Sequence, residues 1–215
     1  NIIQNIRRLF FDNSCTCCGE QASDNLIYLC YNCLDKMVRQ KSLNKVGDTY
    51  YIWPYKGEFR KLLLEYKNNS RLALGKIISS LIEEEIFKVV YEEDIDYIVP
   101  IPINFRREQI RGFNQVEEIL KNLNYSFLKT NRVKNTKKMF KILDKEKREN
   151  NIKNSFKVDK EFKAKNILIF DDIITTGATI EEFKRELIKN GEVNKIVVFS
   201  LSASKTYMNS NKRMC

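Results

Sequence analysis

The chain contains no histidine among its 215 residues. That absence excludes Ser-His-Asp and Cys-His catalysis, imidazole acid–base chemistry and every metal site that needs an imidazole ligand. No apolar run approaches the ~20 residues that span a bilayer. The N-terminal stretch also lacks the apolar segment of a signal peptide, so a cytoplasmic location is expected. An apolar share of 43% and a charged share of 31%, mixed in sign, exclude a disordered or collagenous chain. The length suits one domain, or one domain with a small appendage.

What the sequence does have is cysteine in a pattern and positive charge in one place. Six cysteines are present, and the net charge is +10. Residues 1–103 hold 13 basic and 14 acidic side chains, and residues 166–215 hold 7 and 6. Residues 104–165 hold 18 and 8, so the whole excess lies in the middle of the chain. A localised field of this kind suggests an anionic partner, phosphate or nucleic acid. Lysine makes up 26 of the 38 basic residues, so compositional bias is the competing explanation.

Four cysteines fall into Cys15-Thr-Cys17-Cys18 and Cys30-Tyr-Asn-Cys33. Each C-x2-C turn aims two thiolates at one ion, and two turns complete a tetrahedral sulfur cage. Without histidine the cage must be all-cysteine, and zinc is favoured because the pattern closes at four ligands. The expected ligands are Cys15, Cys18, Cys30 and Cys33. Gly19 eases the turn after Cys18, and Cys17 is then a bystander. A closed thiolate shell has no open position, so the site would be structural.

Hydrophobic periodicity predicts an α/β fold with a parallel sheet. The expected elements are a helix over 1–14, a short helix within 34–45, a strand at Tyr50–Tyr55 and helices at 57–66 and 72–90. They continue with a strand at Ile95–Ile103, a helix at Asn114–Leu123, and strands at Ser155–Val158 and Asn166–Phe170. A helix over Ile180–Asn190, a strand at Lys195–Ser200 and a frayed tail complete the series. The domain reading is a cysteine-bearing unit over 1–45, an α/β domain over 46–205 and a flexible tail over 206–215.

The stretch Ile167–Thr179 carries the most chemistry. A buried strand runs into Asp171 and Asp172, then a loop of Thr175, Thr176, Gly177, Ala178 and Thr179, then a helix. Loop amides and a helix N-terminus at the end of a parallel strand form an anion site. Thr179 and Glu182 are spaced as a capping box, which would start the helix at Thr179. Two carboxylates beside a phosphate need another object, and vicinal sugar hydroxyls with Mg2+ nearby fit.

This stretch resembles the phosphoribosyl pyrophosphate (PRPP) motif of type I phosphoribosyltransferases. Val99-Pro-Ile-Pro102, Arg111-Gly-Phe-Asn-Gln115, Arg148-x-x-Asn151 and the cysteine pattern make the whole chain similar to the ComF family. That resemblance implies a phosphoribosyltransferase-like parallel sheet flanked by helices, a four-cysteine zinc finger and a role in DNA uptake. It implies that Asp171 and Asp172 bind the ribose hydroxyls and that Thr175–Thr179 hold the 5′-phosphate. Lys67 would lie near the pyrophosphate, with Arg111 and Arg148 as further ligands of the leaving group. The expected partner is Mg2+–PRPP, with an unidentified acceptor and DNA-uptake proteins beyond it.

The basic segment 129–153 keeps three readings. Lys134, Lys137, Lys138 and Lys141, with Phe127 and Phe140 nearby, could bind single-stranded DNA. The same charge could steer PRPP, or be a solvated flap. Accordingly either a phosphoribosyltransferase or a PRPP-sensing or single-stranded-DNA-binding module is expected.

Overall fold

The computed structural model describes residues 14–68, 71–133 and 152–211. The helix expected over 1–14 falls almost entirely outside them. So do Lys134, Lys137, Lys138, Lys141 and Arg148.

In chain order the elements are α1 (Tyr31–Arg39), β1 (Asn44–Val46), β2 (Thr49–Pro54), α2 (Gly57–Asn68) and α3 (Leu72–Glu92). They are followed by β3 (Tyr97–Pro100), α4 (Phe105–Arg111), α5 (Gln115–Asn122), β4 (Asn131–Arg132) and β5 (Phe156–Lys157). The last four are β6 (Phe162–Ile174), α6 (Ala178–Lys189), β7 (Gly191–Ala203) and α7 (Lys205–Asn211). One sheet has the order β1-β2-β7-β6-β3. All its pairings are parallel except the β1–β2 hairpin. Strands β4 and β5 pair separately and antiparallel. The architecture is α/β, a mainly parallel sheet covered by helices, as the alternation of periods predicts.

Strand β6, paired on both sides, explains the two-layer cover. Leu168 and Phe170 of β6 join one core cluster, whereas Ile167 and Ile169 join the other. Strand period two thus sends apolar side chains to both faces, which only a strand buried on both sides tolerates. On the first face lie Phe59, Leu62 and Leu63 of α2 and Ile78, Ile82 and Ile86 of α3, all essentially inaccessible. Each such side chain contributes about 1.5–3 kcal/mol through burial. On the second face Ile180, Phe183 and Leu187 place one stripe of α6 against the sheet.

The cysteine-bearing segment is not a separate core. Cys15, Cys17, Leu29, Cys33 and Met37 belong to the cluster that contains Trp53 and Phe59. Trp53 stacks on Phe59 at 4.1 Å and donates from Nε1 to the Met37 carbonyl at 2.9 Å. Arg71 lies over the Tyr28 ring at 4.2 Å and donates to Thr16 Oγ1 at 3.1 Å.

Three local expectations differ from the structure. Helix α4 is formed where the apolar pattern gives none. Asn104 caps it by accepting from the Arg106 amide at 3.0 Å, and none of its residues is buried. Helix α6 starts at Ala178, after Gly177 in the left-handed region, and no side chain caps it. The Thr179–Glu182 capping box is therefore not formed. Glu182 instead accepts from the Asn154 amide at 2.6 Å and pairs with Arg185 at 3.0 Å. The stretch expected as a loose tail begins as α7, whose Tyr207 donates to Thr49 Oγ1 at 3.0 Å.

Candidate functional site

Strand β6 runs four residues beyond the predicted Phe170, so Asp171 and Asp172 lie within its last turn of pleat rather than after it. Asp172 is buried at 6% exposure, and Asp171 is partly buried. Burial and the negative charge of Asp172 push the Asp171 carboxyl up to about 7, with Lys67 and Arg132 acting in the opposite direction. Two acids this close need cations, and the fold brings them from separate helices.

Lys67, in the last turn of α2, places Nζ 2.7 Å from Asp172 Oδ2. Gln115, first residue of α5, donates from Nε2 to the same Oδ2. Arg111, last residue of α4, donates to Gln115 Oε1 at 2.6 Å. Burial presses the guanidinium pKa of Arg107, Arg111 and Arg132 downward; Asp172 opposes this at the first two and Asp171 at the third. Lys67 thus touches the acidic pair directly and Arg111 reaches it through Gln115, while Arg107 and Arg132 feel its charge. Of the residues singled out by sequence, Asp171, Asp172, Lys67 and Arg111 come together. Arg107 was missed, because α4 carries no apolar stripe to announce it. Arg132 was noticed only as part of the basic segment.

The loop after β6 is held in a tight turn ahead of the N-terminus of α6. Gly177 adopts φ +80, and a Cβ added there would sit 3.3 Å from Cε2 of Tyr207. Only glycine meets both demands without strain. Ser204, just before α7, donates from Oγ to the Thr175 carbonyl at 2.6 Å, and its amide donates to the Ile174 carbonyl at 2.8 Å. The loop Thr175–Gly177 is thereby held from behind while Thr176, Ala178 and Thr179 remain partly accessible. Two clefts flank α4. One, of about 310 Å³, is bordered by Arg111, Asn114 and Lys129. The other, of about 140 Å³, is bordered by Phe105, Asn131 and Arg132.

The metal candidates form a second site. The Sγ atoms of Cys15, Cys18, Cys30 and Cys33 lie within 4.8 Å of one another. Cys18 and Cys30 are 3.7 Å apart at sulfur. Tetrahedral zinc with Zn–S of ~2.3 Å sets adjacent sulfurs roughly 3.8 Å apart, so the cluster fits such an ion. Cys17 turns away, its thiol 3.4 Å from the Glu58 carbonyl. Among the described residues no comparable group of carboxylates gathers. No helix among them is long and apolar enough to cross a membrane.

No family model matches the chain. The DNA utilization protein YhgH of Escherichia coli K12 is 26% identical over 186 residues, covering 82% of this chain and 78% of its own. The competence protein F of Haemophilus influenzae is 27% identical over 202 residues, covering 86% and 83%. The competence protein ComFC of Bacillus subtilis is 25% identical over 196 residues, covering 88% and 78%. Among solved structures, the adenine phosphoribosyltransferase of Leishmania tarentolae superposes with a TM-score of 0.41 at 12% identity, covering 77% of this chain and 96% of that one. That superposition is too loose to carry weight. Over most of its length the chain is thus similar, at 25–27% identity, to proteins named for DNA utilization and competence.

Proposed function

We propose that this chain binds Mg2+–PRPP at the end of β6 and serves DNA uptake or use. The observation that carries the reading is the pairing of two adjacent carboxylates with a glycine-hinged loop and four cations at one sheet edge. The carboxylates would accept from the ribose hydroxyls. The loop amides of Thr175–Thr179 and the N-terminus of α6 would hold the 5′-phosphate. Lys67, Arg107, Arg111 and Arg132 would neutralise the pyrophosphate as it leaves, which is where charge develops in phosphoribosyl transfer. The magnesium ion would be held largely by the substrate's own oxygens, consistent with the absence of a carboxylate cage among the described residues. The zinc site would clamp residues 15–33 and take no part in the chemistry.

The uptake role is supported by relatives whose names refer to competence and DNA utilization. A second reading, a PRPP-sensing or single-stranded-DNA-binding module without turnover, is favoured by the charge of +10 confined to 104–165. Pyrophosphate release measured over a panel of bases, amines and single-stranded DNA separates the two. Release with any acceptor supports the transferase. PRPP binding with no release, together with DNA affinity falling at a log–log salt slope near −0.7 per phosphate contacted, supports the module.

A further inference from the structure

Gln115 stands between a cation and a carboxylate of the site and touches both. Its Oε1 accepts from Arg111 Nη1 at 2.6 Å, and its Nε2 donates to Asp172 Oδ2. The amide's orientation is forced, because a guanidinium only donates and a carboxylate only accepts. A primary amide meets both demands at once, with its oxygen as acceptor and its NH2 as donor. The residue is 5% exposed, so these two bonds have no solvent substitute.

The backbone of Gln115 is itself pinned. The Tyr66 hydroxyl donates to its carbonyl at 3.0 Å. Tyr66 reaches that point across α3 only because Gly75 has no side chain; a Cβ there would lie 2.8 Å from the hydroxyl. Tyr66 precedes Lys67, so one turn of α2 supports both groups that meet Asp172 Oδ2. Both of those contacts end on Oδ2.

We infer that Gln115 is a positioning residue that locks Arg111 and Asp172 into one unit, fixing the anion-binding cation and the sugar-binding carboxylate relative to each other. The inference rests on the PRPP reading for its role and on the geometry alone for the contact. A packing glutamine would carry neither consequence.

Two double-mutant cycles in the full-length, metal-loaded chain test it. The first measures unfolding in urea for Gln115→Leu, Asp172→Ala and the pair, without ligand. A threefold or larger departure from multiplied effects on the unfolding constant is expected; strict multiplication overturns the contact. The second measures Mg2+–PRPP affinity for Gln115→Leu, Arg111→Ala and the pair. Each single change should weaken binding about tenfold, and the pair should be scarcely weaker than the worse single. Penalties that multiply, or a Gln115→Leu chain that binds as the parent does, overturn the positioning role. A parent chain that binds no PRPP overturns the proposed ligand instead, and the urea cycle still decides the Gln115–Asp172 contact.

Discussion

Lys67 and Asp172 approach to 2.7 Å across two elements that the sequence separates by more than a hundred residues. The pair is largely enclosed, with side-chain exposures of 13% and 9%. It therefore fastens helix α2 to the end of β6 and brings a cation into contact with the acidic pair.

Removing that cation leaves a buried carboxylate beside a second one. Lys67→Met is expected to lower stability by about 3 kcal/mol, the low end for a broken buried pair, in urea unfolding. It should also weaken Mg2+–PRPP binding by at least tenfold. An unchanged unfolding midpoint contradicts the role given to the pair.

Asp171 gives a pH signature. Its carboxyl is raised from 3.8 to about 7 in the folded chain, so the fold holds that proton more tightly than the unfolded chain does. Its contribution is fully present below pH ~4 and is lost as pH rises through about 7. Asp171→Asn cannot ionise. The variant should match the parent near pH 4 and become the more stable of the two by pH 8, in urea midpoints measured across that range. A difference independent of pH contradicts this.

The metal site predicts one zinc per chain by elemental analysis. Cys33→Ser should lose the ion and unfold residues 15–40 with it, seen as protease sensitivity. Cys17→Ala should keep the ion and cost only about 1 kcal/mol or so, as loss of a small buried side chain does. Zinc loss with Cys17→Ala and retention with Cys33→Ser would falsify the ligand assignment.

Gly177→Ala tests the loop. It puts a side chain at φ +80 and against the Tyr207 ring. A cost of about 1–2 kcal/mol in stability is expected from the backbone alone. A loss of PRPP affinity should accompany it, because the loop would cradle the phosphate. Equal affinity to the parent contradicts the cradle.

Much of this was legible in the residues. The ILIF run at 167–170 announced a strand buried on both faces, and β6 is the central pairing partner of both β3 and β7. The cysteine spacing pointed to the four sulfurs that gather. The resemblance placed Lys67 near a pyrophosphate; its contact with Asp172 is a tertiary feature that no local pattern shows. Other parts were illegible for physical reasons. Glu182 had the spacing of a cap, but the Asn154 amide from a distant segment competes for it. Helix α4 buries nothing, so no apolar period marks it, and its Arg107 went unnoticed. The β1 strand is three residues long and is set by its hairpin partner rather than by its own composition. From sequence Gln115, with Asn114, reads as a residue that orients the loop, contacts ligand or simply packs, and only the tertiary fold shows Arg111 on one side of it and Asp172 on the other.

The central claim is that the Asp171–Asp172 edge binds PRPP. Calorimetric titration of Mg2+–PRPP into the intact chain tests it most directly, alongside Asp171→Ala with Asp172→Ala in one chain. The account predicts saturable heat at one site per chain for the parent and none for the double variant, with zinc content unchanged in both. No heat from the parent at millimolar ligand, or undiminished binding by the variant, would contradict it.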